Sequence, residues 1–150
     1  VLFYSLARPE LNLEAAYNFN NRRKVRVEAA TATGTWDVAD DTRGGQIVLL
    51  PPGALGVSSK ASVAVLPGLQ FDDVLEAPED TAVYTMFDAV PVQMGTVYFV
   101  KTSQSPGIFG TSCSYYAKLV PLVIDVEGGT LTFKFDVSPV CNSLRLIPPD

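Results

Sequence analysis

Polar and apolar positions alternate with period two along Thr130-Leu131-Thr132-Phe133-Lys134-Phe135-Asp136-Val137. That alternation predicts a strand with one buried and one wet face. Two longer apolar-rich runs, residues 96–102 and 114–126, are dense in β-branched and aromatic side chains and predict strands as well. Between residues 114–126 and the alternating run sits Glu127-Gly128-Gly129. Gly-Gly is a hairpin signal, because both residues tolerate φ > 0. Cys113 and Cys141 stand at the outer ends of this hairpin. With Gly128-Gly129 as the turn, both sulfurs arrive at the same end, where a disulfide is geometrically reasonable; two free buried thiols are the alternative.

Elsewhere the pattern predicts shorter strands. Val1 to Leu6 fits an edge strand, or an arm that pairs with something else. Residues 11–21 fit either one helical face (Leu13, Ala16, Tyr17) or a loop rich in Asn18, Asn20 and Asn21. Residues 22–28 place Arg22, Lys24, Arg26 and Glu28 on one face of a strand and Val25 and Val27 on the other. Thr35-Trp36-Asp37-Val38-Ala39 is a strand that ends at the turn-forming residues 40–45. Residues 46–50 form a strand ending at Pro51-Pro52-Gly53, and residues 62–66 another ending at Pro67-Gly68. Phe71, Val74 and Leu75 at i, i+3 and i+4 predict one or two helical turns, stopped before Pro78. Residues 83–87 and 90–92 complete the set. Eight or nine strands, one short helix and no βαβ spacing predict an all-β fold, an antiparallel β-sandwich or barrel.

The 150 residues fit a single domain, 1–150. Eleven prolines and eleven glycines, spread along the chain, suit many short strands separated by turns. No 18-residue apolar stretch exists, so no membrane-spanning helix is expected. The chain begins at Val1 without methionine, which suggests a removed leader or an unseen upstream lipid-anchored cysteine. The net charge of −5 is uneven: residues 1–60 carry seven Lys/Arg against six Asp/Glu, and residues 61–150 carry four against ten. No nucleic-acid footprint accompanies such a balance.

The chain contains no histidine, which removes Ser-His-Asp and Cys-His catalysis and His-based metal sites. Carboxylate pairs are the remaining enzymatic route, through Asp37, Asp40 and Asp41 or through Asp72, Asp73, Glu76, Glu79 and Asp80. Solvated turns and a helix face explain these acids more simply. No catalytic, cofactor-binding or metal residue is therefore expected. Arg22, Arg23, Lys24 and Arg26 form the one dense basic patch, suited to an acidic partner or anionic headgroups, or else a plain wet strand face. Ile108 and Phe109, in the loop of residues 105–110, either fold back on the core or dock on a partner. Trp36 and the aromatics Phe3, Tyr4, Tyr115 and Tyr116 are core residues, or line a sugar platform.

The C-terminal stretch carries Pro67-Gly68-Leu69-Gln70, Phe71 with Ala77-Pro78, Gly95-Thr96-Val97-Tyr98, Cys113, Tyr116-Ala117-Lys118-Leu119, Thr132-Phe133 and Cys141-Asn142 before Leu144-Arg145-Leu146-Ile147-Pro148. Over residues 65–149 it resembles a family of small secreted or lipid-anchored domains of gemmatimonad bacteria. The resemblance implies an extracytoplasmic β domain with the two cysteines paired, and brings no catalytic residue. Phototrophs among such bacteria carry extra periplasmic subunits on their reaction-centre complexes. The chain is similar to what such a subunit would look like.

Together these readings lead to the expectation of a non-catalytic, periplasmic or extracellular accessory subunit. It would dock on a membrane protein complex, in the sharpest form a photosynthetic reaction-centre and light-harvesting complex. Its expected contacts are Phe3, Tyr4, Arg22, Arg23, Lys24, Arg26, Ile108 and Phe109. The alternative is a carbohydrate or small-ligand binding module of the cell envelope.

Overall fold

A computed structural model describes residues 2–4, 16–19, 23–25, 36–56, 60–66, 68–102, 105–106, 112–138, 140 and 142–146. Their strands are β1 (Leu2–Tyr4), β2 (Ala16–Asn18), β3 (Arg23–Val25), β4 (Val38–Arg43), β5 (Gln46–Leu50), β6 (Ser62–Leu66), β7 (Tyr84–Thr85), β8 (Val90–Pro91), β9 (Val97–Lys101), β10 (Ser105–Pro106), β11 (Ser112–Cys113), β12 (Tyr116–Asp125) and β13 (Thr130–Val137). Every pairing is antiparallel. One sheet has the order β1-β13-β12-β9-β6-β7 and the other β3-β2-β4-β5-β8, with β10-β11 as a separate ribbon. Among the described residues both sheets end in unpaired edges, so the fold is sandwich-like and not a closed barrel.

The main core lies between the sheets. Tyr17, Phe19, Val38, Ile47 and Leu49 from the five-stranded sheet meet Val63, Tyr98, Val100, Ala117, Leu119, Leu131 and Phe133 from the six-stranded one. Tyr17 and Phe133 pack edge to face with centroids 5.7 Å apart, a favoured geometry for ring quadrupoles. The outer face of each sheet has its own cover. Trp36, Ala39, Val48 and Leu50 lie under Ala54 and Leu55 of a 3-10 turn, Pro52–Leu55. Ala64, Val97 and Phe99 lie under Val74, Ala77 and Leu146, a roof without regular strands.

The β12–β13 hairpin forms where the alternation predicts it. Gly129 takes φ +64° in its turn, and the Gly129 N–H donates to the Val126 carbonyl at 3.2 Å. A bulge between Pro121 and Val123 shifts the register, so Pro121 pairs with Phe133 and Val123 with Thr132.

Four local expectations are corrected. Within residues 11–21, expected as a helical face or a loop, Ala16–Asn18 is strand β2, held in the ladder by β3 on one side and β4 on the other. Residues 40–43 are strand, and the turn is only Gly44-Gly45, at φ +59° and +77°. Two consecutive positive φ angles make the primed two-residue turn that matches strand twist, so the polar residues before it stay in the ladder. Residues 71–77 do not form a helix: Phe71–Asp73 is a single 3-10 turn, and Val74 is already extended at φ −85°, ψ 110°. The exposed Leu75 explains why, since the i+4 position never reaches a core. Residues 83–87 shorten to β7, preceded by a 3-10 turn at Thr81–Val83.

Candidate functional site

β1 is one edge of the six-stranded sheet, and β3 is one edge of the five-stranded sheet. β1 approaches β2 and β4, while β6 approaches β8 on the opposite side of the sandwich. The open edges of β1 and β3 therefore share one side of the molecule. Phe3 and Tyr4 stand on β1, opposite Leu131 and Thr130, and Arg23 and Lys24 stand on β3, opposite Asn18 and Tyr17. Among the described residues no further strand pairs with either edge. Four of the expected contact residues are thus brought to one side. Arg22, Arg26, Ile108 and Phe109 lie outside the described residues; β10 and β11 pair on either side of the segment that holds Ile108 and Phe109.

The ends of the long hairpin meet next to the cysteines. The Asn142 N–H donates to the Ser114 carbonyl at 2.8 Å, and the Ser114 N–H donates to Asn142 Oδ1 at 3.0 Å. Asn142 holds φ +60°, a conformation asparagine tolerates better than most residues. Cys113 is buried, and no cysteine among the described residues is free. Cys141 lies outside the described residues.

On the outer face of the six-stranded sheet, Lys118 is 3% exposed. Its ammonium donates to the carbonyls of Phe71 and Val74, the latter at 2.9 Å, and lies 3.8 Å from Asp136 Oδ2. It also stands 4.2 Å from the centroid of the Phe71 ring, with Lys134 Nζ 4.7 Å from the same centroid. Such contacts attract an ammonium to the negative face of a ring. Lys118 thereby ties the roof to the sheet. Beside this tie opens a cleft of about 540 Å³, lined by Leu69, Phe71, Met94, Val120 and Leu122 with Asp72, Asp73 and Lys134 among its polar groups.

Two acids expected in solvated turns are buried instead. Asp37 Oδ2 accepts from the Phe19 N–H at 2.8 Å, and the Asp37 N–H donates to the Tyr17 carbonyl at 2.8 Å. Asp37 thus closes the end of β2. Asp40 is fully buried, and among the described residues neither of its carboxyl oxygens has a hydrogen-bond partner. Burial, with the Asp41 carboxylate nearby, pushes its pKa up to about 8. The sequence signal for both was the odd density of acids beside Val38 and Trp36, outweighed by the turn-forming look of residues 40–45.

Trp36 is 1% exposed, so it lines no sugar platform and belongs to the core under Ala54 and Leu55. Tyr84 and Tyr116 meet edge to face at 6.2 Å, and burial followed by the neighbouring Tyr116 raises the Tyr84 hydroxyl above its ordinary range. No helix among the described residues is long and apolar enough to cross a membrane. Compared with models of known protein families and with curated proteins, the chain matches none.

Proposed function

We propose that this chain is a non-catalytic, extracytoplasmic contact domain that docks on a membrane protein complex. A photosynthetic reaction-centre and light-harvesting complex is the particular case the sequence resemblance suggests. One observation carries the reading: the open edges of β1 and β3 lie on the same side of the sandwich, with Phe3, Tyr4, Arg23 and Lys24 along them. Exposed strand edges are templates for pairing with another chain, and proteins that keep them use them or cover them. The adjacent Arg23 and Lys24 add a positive end to an acidic molecule, which suits an acidic partner surface.

The proposal includes a Cys113–Cys141 disulfide. The reciprocal Ser114–Asn142 bonds support it, since each joins a chain neighbour of one cysteine to a chain neighbour of the other. A disulfide fits the oxidising compartment in which such a domain would work.

The test is a pull-down from native membranes solubilised in mild detergent. Co-purification with a membrane complex, weakened by charge reversal at Arg23 and Lys24, is the expected result. Recovery solely as a free monomer would overturn the reading.

The cleft beside Phe71 favours a second reading, a small-ligand module. Its volume falls within the range of sites that hold small molecules. Ligand-induced chemical-shift changes confined to Met94, Leu122 and Lys134 would support that module, and their absence across a diverse small-molecule library would end it.

A further inference from the structure

Asp40 occupies a position that the docking reading does not use. It pairs with Leu49 across the β4–β5 ladder, and its neighbours two residues along the strand are Val38 and Thr42. Val38, Leu49 and Ile47 all belong to the core between the sheets. Since side chains alternate along a strand, Asp40 shares their face and enters that core. Ala39 and Asp41 take the other face, where Asp41 pairs with Arg43 at 3.0 Å.

A buried carboxyl without partners is costly, and an ionised one far more so. Among the residues whose side chains are described, no charged group relieves it. Lys118, Lys134 and Asp136 face outward around Phe71, on the far side of the six-stranded sheet. β5 and β6 hold no ionisable residue. Tyr17 of β2 is buried, and the Tyr98 hydroxyl of β9 is engaged by Pro91 and Gln93. Tyr4 is the ionisable residue of β1, and Arg23 and Lys24 stand on β3, one strand beyond β2.

We propose that Asp40 is a proton-operated latch of the sandwich: its neutral acid lets the β1–β2–β4 side close, and its ionisation favours an opened state in which water reaches the carboxylate.

The direction follows from linkage. The carboxyl sits at about 8 in the closed state, against 3.8 for an ordinary aspartate. Closing therefore takes up a proton at any pH between these values. The closed state is favoured most at low pH, loses ground steadily as pH rises through that window, and levels off above it. In this window the opening equilibrium grows about tenfold per pH unit. The latch works with or without a docked partner, so failure of the docking experiment leaves it standing.

The experiment uses the full chain and its D40N and D40L variants. Amide hydrogen exchange of β2, β4 and β5 is followed from pH 5 to 8 and corrected for intrinsic exchange rates. Roughly tenfold faster opening per pH unit in the natural chain, and flat profiles in both variants, is the expected result. Equal slopes in all three would overturn the latch. A carbon-13 titration of the Asp40 carboxyl in the unaltered chain decides the matter if neither variant folds: a midpoint well above 6 supports the latch, and one near 4 overturns it.

Discussion

The Tyr98 hydroxyl donates to the Pro91 carbonyl at 2.6 Å and accepts from the Gln93 N–H at 2.8 Å. Tyr98 belongs to the six-stranded sheet, and Pro91 pairs with Val48 in the five-stranded one. One side chain thus bridges the two layers through the core, in which its ring is buried.

Tyr98→Phe keeps the ring and removes the bridge. The Gln93 N–H and the Pro91 carbonyl then lose a partner in a partly buried setting, at a cost of about 1–3 kcal/mol. Equilibrium denaturation in urea measures the loss, with little change expected in the slope of the transition.

Lys118→Met should release the roof. The substitution preserves much of the stem while stripping the Phe71 and Val74 carbonyls of their donor. A cost of about 2–4 kcal/mol is expected, from unsatisfied carbonyls and the lost ring contact. Amide exchange should quicken at Ala77 and Leu146, whose N–H groups bond to Leu144 and Leu75 within the roof, and much less in β4 and β5. Uniform acceleration across both sheets would contradict a local role.

Asn142→Ala removes the acceptor of the Ser114 N–H and strains a backbone at φ +60°. Both effects act in the same direction, and together cost about 2–4 kcal/mol. Asn142→Gly keeps the backbone conformation accessible and should recover roughly half of the loss. Thermal unfolding under non-reducing conditions separates the two variants.

Gly53→Ala tests the cover over Trp36. A methyl group there would run into the Met86 carbonyl and the Phe87 ring. The 3-10 turn at Pro52–Leu55 must then shift against Met86 and Phe87, loosening its packing over Trp36, with a cost of about 1–3 kcal/mol from overpacking. Trp36 emission should shift to the red as water reaches it.

The architecture was legible because β13 and β12 carry their own evidence: alternation for one, an apolar β-branched run for the other, and two glycines between them. Residues 40–43 misled because Asp and Thr are weak strand formers and read as a turn. Their place in the ladder is set by partners in residues 46–50 and by the Gly44-Gly45 turn alone. Lys118 was illegible for another reason. A lysine in a strand suggests a wet face, and only the roof residues, more than forty positions earlier in the chain, remove that face from water. The β1 edge could be anticipated from a short apolar segment at the start of the chain. That β3 shares its side could not, since nothing local to either segment encodes how the two layers stack.

The enclosed ammonium of Lys118 has a chemical corollary. Amine-reactive reagents need a lysine that leaves its carbonyl partners and meets solvent, and Lys118 does neither while Phe71 and Val74 hold it. The exposed Lys134, whose Nζ lies 4.7 Å from the centroid of the same ring, provides an internal reference. The labelling ratio of these two lysines is therefore a gauge of how often the outer segment lifts, readable by peptide mass mapping on the unaltered chain.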